Sequence, residues 1–302
     1  MRRVVRVGTR RSALARAQCD RVVHALARAA SETRFEVVPI ATDGDRTWTT
    51  TGPLDFTDAI DAALARGEID LAVHSAKDLP AVLRPTLAIA AVPRREDPRD
   101  CLVLGGPGRL ADLPAGARVG SSSVRRRAQL RRVRPDLTVT ELRGNVDSRI
   151  ARVRRGELDG VILAVAGLRR LDRAGEASEV LDLRRFLPAP GQGALAITAR
   201  TADRDVRRLV APIEHLPSRR ALRAERAFLG AVGGDCTVPL AALGRVRAGS
   251  IALRGEEFDA EGRLCWRGAA VGPADRAARI GSALGRAAVR GSSAAEGTGS
   301  RP

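Results

Sequence analysis

Of the 52 Lys and Arg residues in this chain, one is a lysine, Lys77, and it stands beside Asp78 in the run Val73-His74-Ser75-Ala76-Lys77-Asp78. An ammonium is a compact charge with rotatable donors, and the planar fork of arginine does not replace it where a small cation must sit against a carboxylate. The pair follows a short apolar run, Ile69 to Val73, and precedes Leu79-Pro80, so it marks the end of a buried strand. The bland reading, one position that escaped a general drift to arginine and sits in a solvated loop, weighs equally on this feature alone.

Two further segments share a design suited to anions. Gly120-Ser121-Ser122-Ser123 leads a strand into a helix that begins near Arg125 and Arg126, and Leu142-Arg143-Gly144-Asn145 leads another into a helix carrying Arg149. Ser and Asn are good N-caps, and helix N-termini collect anions through free N–H groups and the helix dipole. Added arginines make each junction a cradle for carboxylate or phosphate with bidentate reach. Gly8-Thr9-Arg10-Arg11-Ser12 repeats the theme at the first strand. For any one junction a capped helix with solvated arginines is the stronger reading. The three together point to an anion site at the strand ends, where open α/β sheets bind ligands. Cys236 follows Gly233-Gly234 in a turn before Val238-Pro239-Leu240. A thiol in such a turn is either a nucleophile or attachment point, or a small buried hydrophobe, as Cys19 and Cys265 are expected to be.

Alternating elements must position these residues. Strands are expected at Val4–Val7, Phe35–Ile40, Ile69–Val73 and Leu87–Val92, with helices at Ser12 to about Ala30 and Asp58–Arg66. This pattern is that of an α/β layer architecture. Pro93 to Pro98 reads as a crossover. A second α/β block follows, with strands near Leu102–Leu104, Arg118–Gly120, Thr138–Leu142 and Val161–Val165. The breaker-rich run Leu187 to Gly193 is a second crossing, after which the strand Ala194–Thr198 is placed back in the first domain. From Ser218 the pattern becomes α+β: a helix with Ala221, Ala224, Phe228 and Ala231 on one face, strands Ser250–Phe258 and Arg263–Val271, and a last helix from about Ala274 to Arg290. The expected domains are 1–95 with 193–212, then 99–188, then 216–290, with 291–302 a disordered Gly/Ser/Ala-rich tail.

Composition bounds the function. At 302 residues and 44% hydrophobic, the chain has room for several cores. No run approaches the roughly 18 apolar residues of a membrane span, and Met1 to Val7 reads as a first strand rather than a twin-arginine leader. The four cysteines show neither metal spacing nor a disulfide framework, so no metal is expected. A net charge of +17 suits nucleic acid or a small anion, but no Tyr, two Trp and five Phe leave little for base stacking.

Taken together, these stretches resemble the porphobilinogen deaminase (hydroxymethylbilane synthase) family. The matching runs are Gly8–Ser12, Val73–Asp78, Arg95-Glu96-Asp97-Pro98-Arg99-Asp100, Gly120–Leu130, Leu142–Val146, Ile162–Leu171, Pro190-Gly191-Gln192-Gly193-Ala194 and Cys236-Thr237-Val238-Pro239, in family order over about residues 4–290. The resemblance implies two α/β domains like type II periplasmic binding proteins plus a small C-terminal α+β domain. It implies a cytoplasmic, monomeric transferase of tetrapyrrole synthesis that joins four porphobilinogens head to tail, releases ammonia at each step and frees hydroxymethylbilane with water. The family builds its chain on one dipyrromethane cofactor held by a thioether, here to Cys236. The catalytic aspartate maps to Asp78, a carboxylate suited to moving a proton and offsetting charge on a ring nitrogen. Cofactor binding falls to Lys77, Ser75, Ser123, Arg125 and Arg126, and substrate binding to Arg10, Ser12, Arg143, Arg149, Arg170, Phe56 and Gln192. The arginines agree with the direct reading, because each pyrrole carries two carboxylates and the growing chain is a dense polyanion.

One stretch departs from the family. After Thr42-Asp43-Gly44-Asp45 the run Arg46 to Phe56 is several residues shorter than the usual mobile loop, its lysine is missing with Pro53 near that place, and only Phe56 is retained. If that loop gates the site, gating or rate should differ. Asp235 also stands before the cysteine where glycine is common. The alternative function is a diverged paralogue or anion-binding module of the same fold with weak or no turnover; a nucleic-acid binder ranks third.

Overall fold

Val5 and Val7 alternate with Arg6, whose guanidinium pairs with Asp70 at 3.0 Å, and this two-residue period forms the first strand, β1 (Arg3–Arg10). Ser12 then accepts a hydrogen bond from the Ala15 amide and starts α1 (Ala13–Ala29). Its buried residues Ala15, Cys19, Val22 and Leu26 recur at helical spacing. Cys19, Val22 and Leu26 pack on Val5, Val7, Leu71, Val73 and Ile197 in one core.

Here the protein is represented by a computed structural model that describes residues 3–42, 57–233, 239–259 and 261–297. Two compact units result: Met1–Glu96 with Ala194–Arg219, and Asp97–Gly193 with Arg220–Pro302.

The first unit adds β2 (Thr33–Ile40), α2 (Asp58–Ala65), β3 (Leu71–Ser75) and β4 (Leu87–Ala91). The second unit begins with β5 (Asp100–Leu104), β6 (Arg118–Ser121), α3 (Val124–Val133), β7 (Thr138–Glu141), α4 (Val146–Arg154), β8 (Gly160–Ala164), α5 (Val165–Arg170) and β9 (Glu179–Val180). The chain then returns to the first unit as β10 (Leu195–Arg200) and α6 (Arg204–Val210), and continues through α7 (Leu216–Val232). Last come β11 (Leu240–Arg247), β12 (Ser250–Phe258), β13 (Leu264–Pro273) and α8 (Ala277–Gly297).

The two five-stranded sheets repeat one plan. The first has the order β2-β1-β3-β10-β4 and the second β7-β6-β8-β5-β9. In each, three strands run parallel, and one strand inserts antiparallel between the third of these and a short or late edge strand. The inserted strands, β10 and β5, each come after a crossing of the chain. This is the doubled α/β architecture expected of type II periplasmic-binding domains, with a third, antiparallel sheet β11-β12-β13 beside α7 and α8. In the second unit the third sheet joins the α/β layer through an apolar seam of Ala128, Leu187, Ala241, Leu243 and Phe258.

Several boundaries differ from the sequence expectation. The third strand runs Leu71–Ser75 rather than Ile69–Val73, because β10 pairs with it as far as Ser75 opposite Leu195. Val165 ends no strand; it opens α5. Strand β11 was not expected at all. Its first five residues are buried on both faces, so Leu-Ala-Ala-Leu-Gly shows no alternation. The last helix continues to Gly297, past the Arg290 limit and into the segment read as a disordered tail. Extending an existing helix adds one hydrogen bond for each residue fixed and avoids the cost of nucleation, so the extension follows despite its two glycines and two serines. Phe56, the shortened loop and Cys236 lie outside the described residues.

Candidate active site

In the first unit the expected residues gather at the C-terminal ends of two neighbouring parallel strands. β1 and β3 pair at Val7 with Leu71 and Gly8 with Ala72, so Arg10 and Ser75 leave the sheet along the same edge. A Cβ on Gly8 would fall 2.3 Å from Ile69 Cδ1, the movable end of a side chain, so Ile69 would have to shift to admit one. Ser12 spends its hydroxyl oxygen on the α1 cap. Ser75 faces Gln18 of α1, whose amide nitrogen donates to the Ser75 hydroxyl at 2.8 Å. Lys77 and Asp78 sit in a single 3-10 turn, Ala76–Asp78, directly after β3. The Ala76 amide donates to the Ala194 carbonyl, which ties the turn to the start of β10. Both charged side chains are half-buried, while the flanking Ala76 and Leu79 are buried and anchor the turn.

His74 precedes Ser75 and points the other way, into the protein, with Nε2 3.1 Å from Thr198 Oγ1. Burial pushes this imidazole down to about 4, so it stays neutral and structural near neutral pH. Cys19 is buried in the core beneath α1, and burial raises its thiol to about 12. It matches the small-hydrophobe reading.

The second unit holds the arginines. Ser123 caps α3 by accepting from the Arg126 amide, and Asn145 caps α4 by accepting from the Ser148 amide at 2.8 Å. β6 and β7 are parallel neighbours, so both caps lie at one edge of the sheet. The first turn of α3 then carries Arg125 and Arg126 inward, where they are 3% and 4% exposed.

Both converge on Asp100, the fully buried first residue of β5. Arg125 Nη1 lies 2.8 Å from Asp100 Oδ2, from Gln129 Oε1 and from the Leu187 carbonyl. Arg126 reaches Asp100 Oδ1 through Nε at 2.9 Å and Nη2 at 2.7 Å. Gln192 donates its amide to the same Oδ1 at 2.9 Å and to the Pro98 carbonyl at 2.6 Å, and its oxygen accepts from Arg126 Nη2 at 3.2 Å. Burial by itself pushes the Asp100 carboxyl up, but the two guanidiniums and the Gln192 amide outweigh it and hold it well below the usual carboxylate range.

Arg149 and Arg170 complete the set. Arg170 is buried and donates to the Gly193 carbonyl at 2.6 Å. Burial, and then repulsion from Arg126, lowers the Arg149 guanidinium to about 10. Its Nε is buried with no hydrogen-bond partner. A carboxylate or phosphate beside Arg149 would satisfy that nitrogen and relieve the repulsion. Arg143 is more exposed, 3.6 Å from Glu141.

Three residues of this arrangement escaped the sequence reading. Asp100 closes the run Arg95-Glu96-Asp97-Pro98-Arg99-Asp100, yet nothing local marks it as the partner of arginines 25 and 26 positions later. Gln129 and Gln18 gave no signal beyond their helical phase. Among the described residues, no cluster of three or more His, Cys, Asp or Glu is placed to hold a metal ion, and no helix is long and apolar enough to cross a membrane.

Comparison with known proteins accounts for nearly the whole chain. Residues 5–208 match the family model described as "Porphobilinogen deaminase, dipyromethane cofactor binding domain", and residues 220–289 match "Porphobilinogen deaminase, C-terminal domain". A porphobilinogen deaminase of Acidothermus cellulolyticus is 46% identical over 296 residues, covering 95% of this chain and 89% of that protein. One from Thermus thermophilus is 46% identical over 285 residues, covering 94% and 95%. Among solved structures, a periplasmic binding protein of Salmonella typhimurium aligns with a TM-score of 0.40 at 14% identity, over 70% of this chain and 91% of that one. With both family models matched in order and the relatives aligned almost end to end, the chain belongs to the porphobilinogen deaminase family.

Proposed function

We propose that this protein is a working hydroxymethylbilane synthase: it condenses four porphobilinogens head to tail, releasing ammonia at each addition, and frees the linear tetrapyrrole by hydrolysis. The observation that carries this reading is the arginine set around Asp100, and above all Arg149, a buried guanidinium nitrogen without a partner in a chain of this family. An anionic ligand with many carboxylates meets that need, and porphobilinogen has two on each ring.

The matching family domain binds a dipyrromethane, and the donor set here fits such a group. Cys236 is the residue that would hold it, by a thioether, once per chain. When bound, that group supplies the pyrrole carbon to which the first substrate adds. Lys77, Ser75, Ser123, Arg125 and Arg126 are its binding residues in this reading. Arg10, Ser12, Arg143, Arg149, Arg170, Gln192 and Phe56 bind the incoming substrate and growing chain.

Each role comes from the chemistry of the group. Guanidiniums grip acetate and propionate side chains two oxygens at a time. Lys77 adds the one compact ammonium. Asp78 lies next in the chain, in a turn fixed by buried neighbours, and is assigned the proton and charge work at the aminomethyl nitrogen. Arg125 has its Nη1 committed to three protein acceptors, so its contribution is to fix Asp100 and Arg126 as well as to add charge.

The protein is assigned to the cytoplasm, the setting that the family implies. The protein is read as a monomer, with residues 216–290 as its third domain.

Intact-protein mass spectrometry tests the reading. A mass increment on Cys236 after production with porphobilinogen available, together with ammonia release on adding substrate, is the expected result. An unmodified chain that binds porphobilinogen without releasing ammonia would instead make it an anion-binding module of the same fold.

A further inference from the structure

Glu225 has no part in the assignments above, yet it is fully buried in α7. Its two carboxylate oxygens accept from two backbone amides, Oε2 from Gly191 and Oε1 from Gly244, each at 2.7 Å. Gly244 belongs to β11, which passes so close to α7 that a Cβ on Gly244 would lie 3.1 Å from the Ala221 carbonyl. Gly191 belongs to the irregular crossing segment Leu187 to Gly193. Its φ of 76° and the 83° of Gly193 are left-handed, a conformation that glycine adopts without strain. Such a segment has no ladder to hold it, so isolated bonds must fix it.

The two residues after Gly191 form the centre of the arginine cluster. The Gln192 side chain bridges Asp100 and Arg126, and the Gly193 carbonyl receives Arg170. We infer that Glu225 is a positioning residue for anion binding: by holding the Gly191 amide, it sets the place of Gln192 and of the Gly193 carbonyl, and through them Arg126 and Arg170. A carboxylate is required because two N–H groups converge on it from two different elements. A glutamine supplies a single acceptor oxygen, and an apolar residue supplies none, leaving one or two buried amides unsatisfied. The inference rests on the assignment of Arg126 and Arg170 to anion binding.

A double-mutant cycle between Glu225 and Gln192 tests it. The wild type is measured first, for adduct mass and for ammonia release; failure there refutes the functional assignment and is distinct from any outcome in the variants. Glu225→Gln is expected to raise KM for porphobilinogen about tenfold, the size of one lost charge-assisted hydrogen bond, with kcat changed less than about twofold. Amide hydrogen exchange in the peptide spanning 189–193 should speed up, while exchange in α1 stays unchanged. Gln192→Ala should raise KM to a similar degree, and the double variant should be no worse than the worse single one, because both act through one segment. Multiplying KM effects, or an unchanged KM with unchanged exchange at 189–193, would overturn the proposal. If Glu225→Gln does not fold, Glu225→Asp, which keeps the charge but is one methylene shorter, enters the same cycle, and multiplying effects there overturn it equally.

Discussion

Arg126 holds Asp100 through two nitrogens that meet the same oxygen, Nε at 2.9 Å and Nη2 at 2.7 Å, and leaves the other oxygen to Arg125. The carboxylate is therefore the element that lets two adjacent arginines stay buried side by side. Removing it leaves two guanidiniums facing each other in a low-dielectric interior. Asp100→Asn should destabilise the fold by about 3–5 kcal/mol, the usual cost of breaking a buried ion pair. Urea unfolding measures this. A loss below about 1 kcal/mol would show that the arginines find other partners at little cost.

His74 makes stability depend on pH. Its folded value is about 4 and its ordinary value 6.5. Between these, the unfolded chain binds the extra proton, so stability falls as pH falls and is fully present only above the ordinary value. At about 1.4 kcal/mol per pH unit, this one residue contributes a loss of about 3 kcal/mol between about pH 7 and pH 4. His74→Gln should flatten the slope of unfolding free energy across that window. Equal slopes in variant and wild type would remove His74 as the cause.

Asp78→Asn should abolish ammonia release, by at least about a hundredfold, the usual range for losing a proton-transferring group. Its thermal midpoint should stay within a few degrees of wild type, because Asp78 is half-buried and its turn is anchored by Ala76 and Leu79. Normal ammonia release by that variant would refute the role.

Cys236→Ser should yield a protein of unmodified mass. Cys19 and Cys101 offer no substitute, since burial holds their thiols near 12 and keeps them from forming thiolate. An adduct of unchanged mass on the serine variant would move the attachment elsewhere.

Gly281→Ala separates two opposing effects. In an exposed helix the change would stabilise by about 1 kcal/mol. In α8 the added Cβ would fall 2.1 Å from the Ala224 carbonyl oxygen and 2.9 Å from Ala227 Cβ of α7. Forcing the two helices apart should win, with a net loss of about 2 kcal/mol. A raised melting temperature would show that α7 yields easily.

Local chemistry was well written into the sequence. Ser12, Ser123 and Asn145 announce their helices and cap them, and the Val-rich strands alternate or run apolar as their burial requires. The strand β11 was hidden because small residues covered on both faces carry no period. Arg125 and Arg126 read as ligand arginines from their place at a helix start, and nothing nearby reveals how fully Asp100 engages them. That bond joins β5 to α3 across some 25 positions, and only the folded sheet order brings the two together. Glu225 was invisible for the same reason: its partners are backbone amides 34 and 19 positions away.

The inserted strand β10 sets a timetable for synthesis. A nascent chain that has emerged only to Glu96 possesses β1 to β4 but lacks the strand that lies between β3 and β4. Its apolar side, Leu195, Ile197 and Ala199, belongs to the same core as Val5 and Leu26. The first sheet thus stays open between β3 and its edge strand β4 while about a hundred further residues are made. At about 5–20 residues per second that interval lasts on the order of five to twenty seconds. During it the ribosome-bound chain presents unpaired edges on β3 and β4, the time at which chaperone contact or misassociation is most expected.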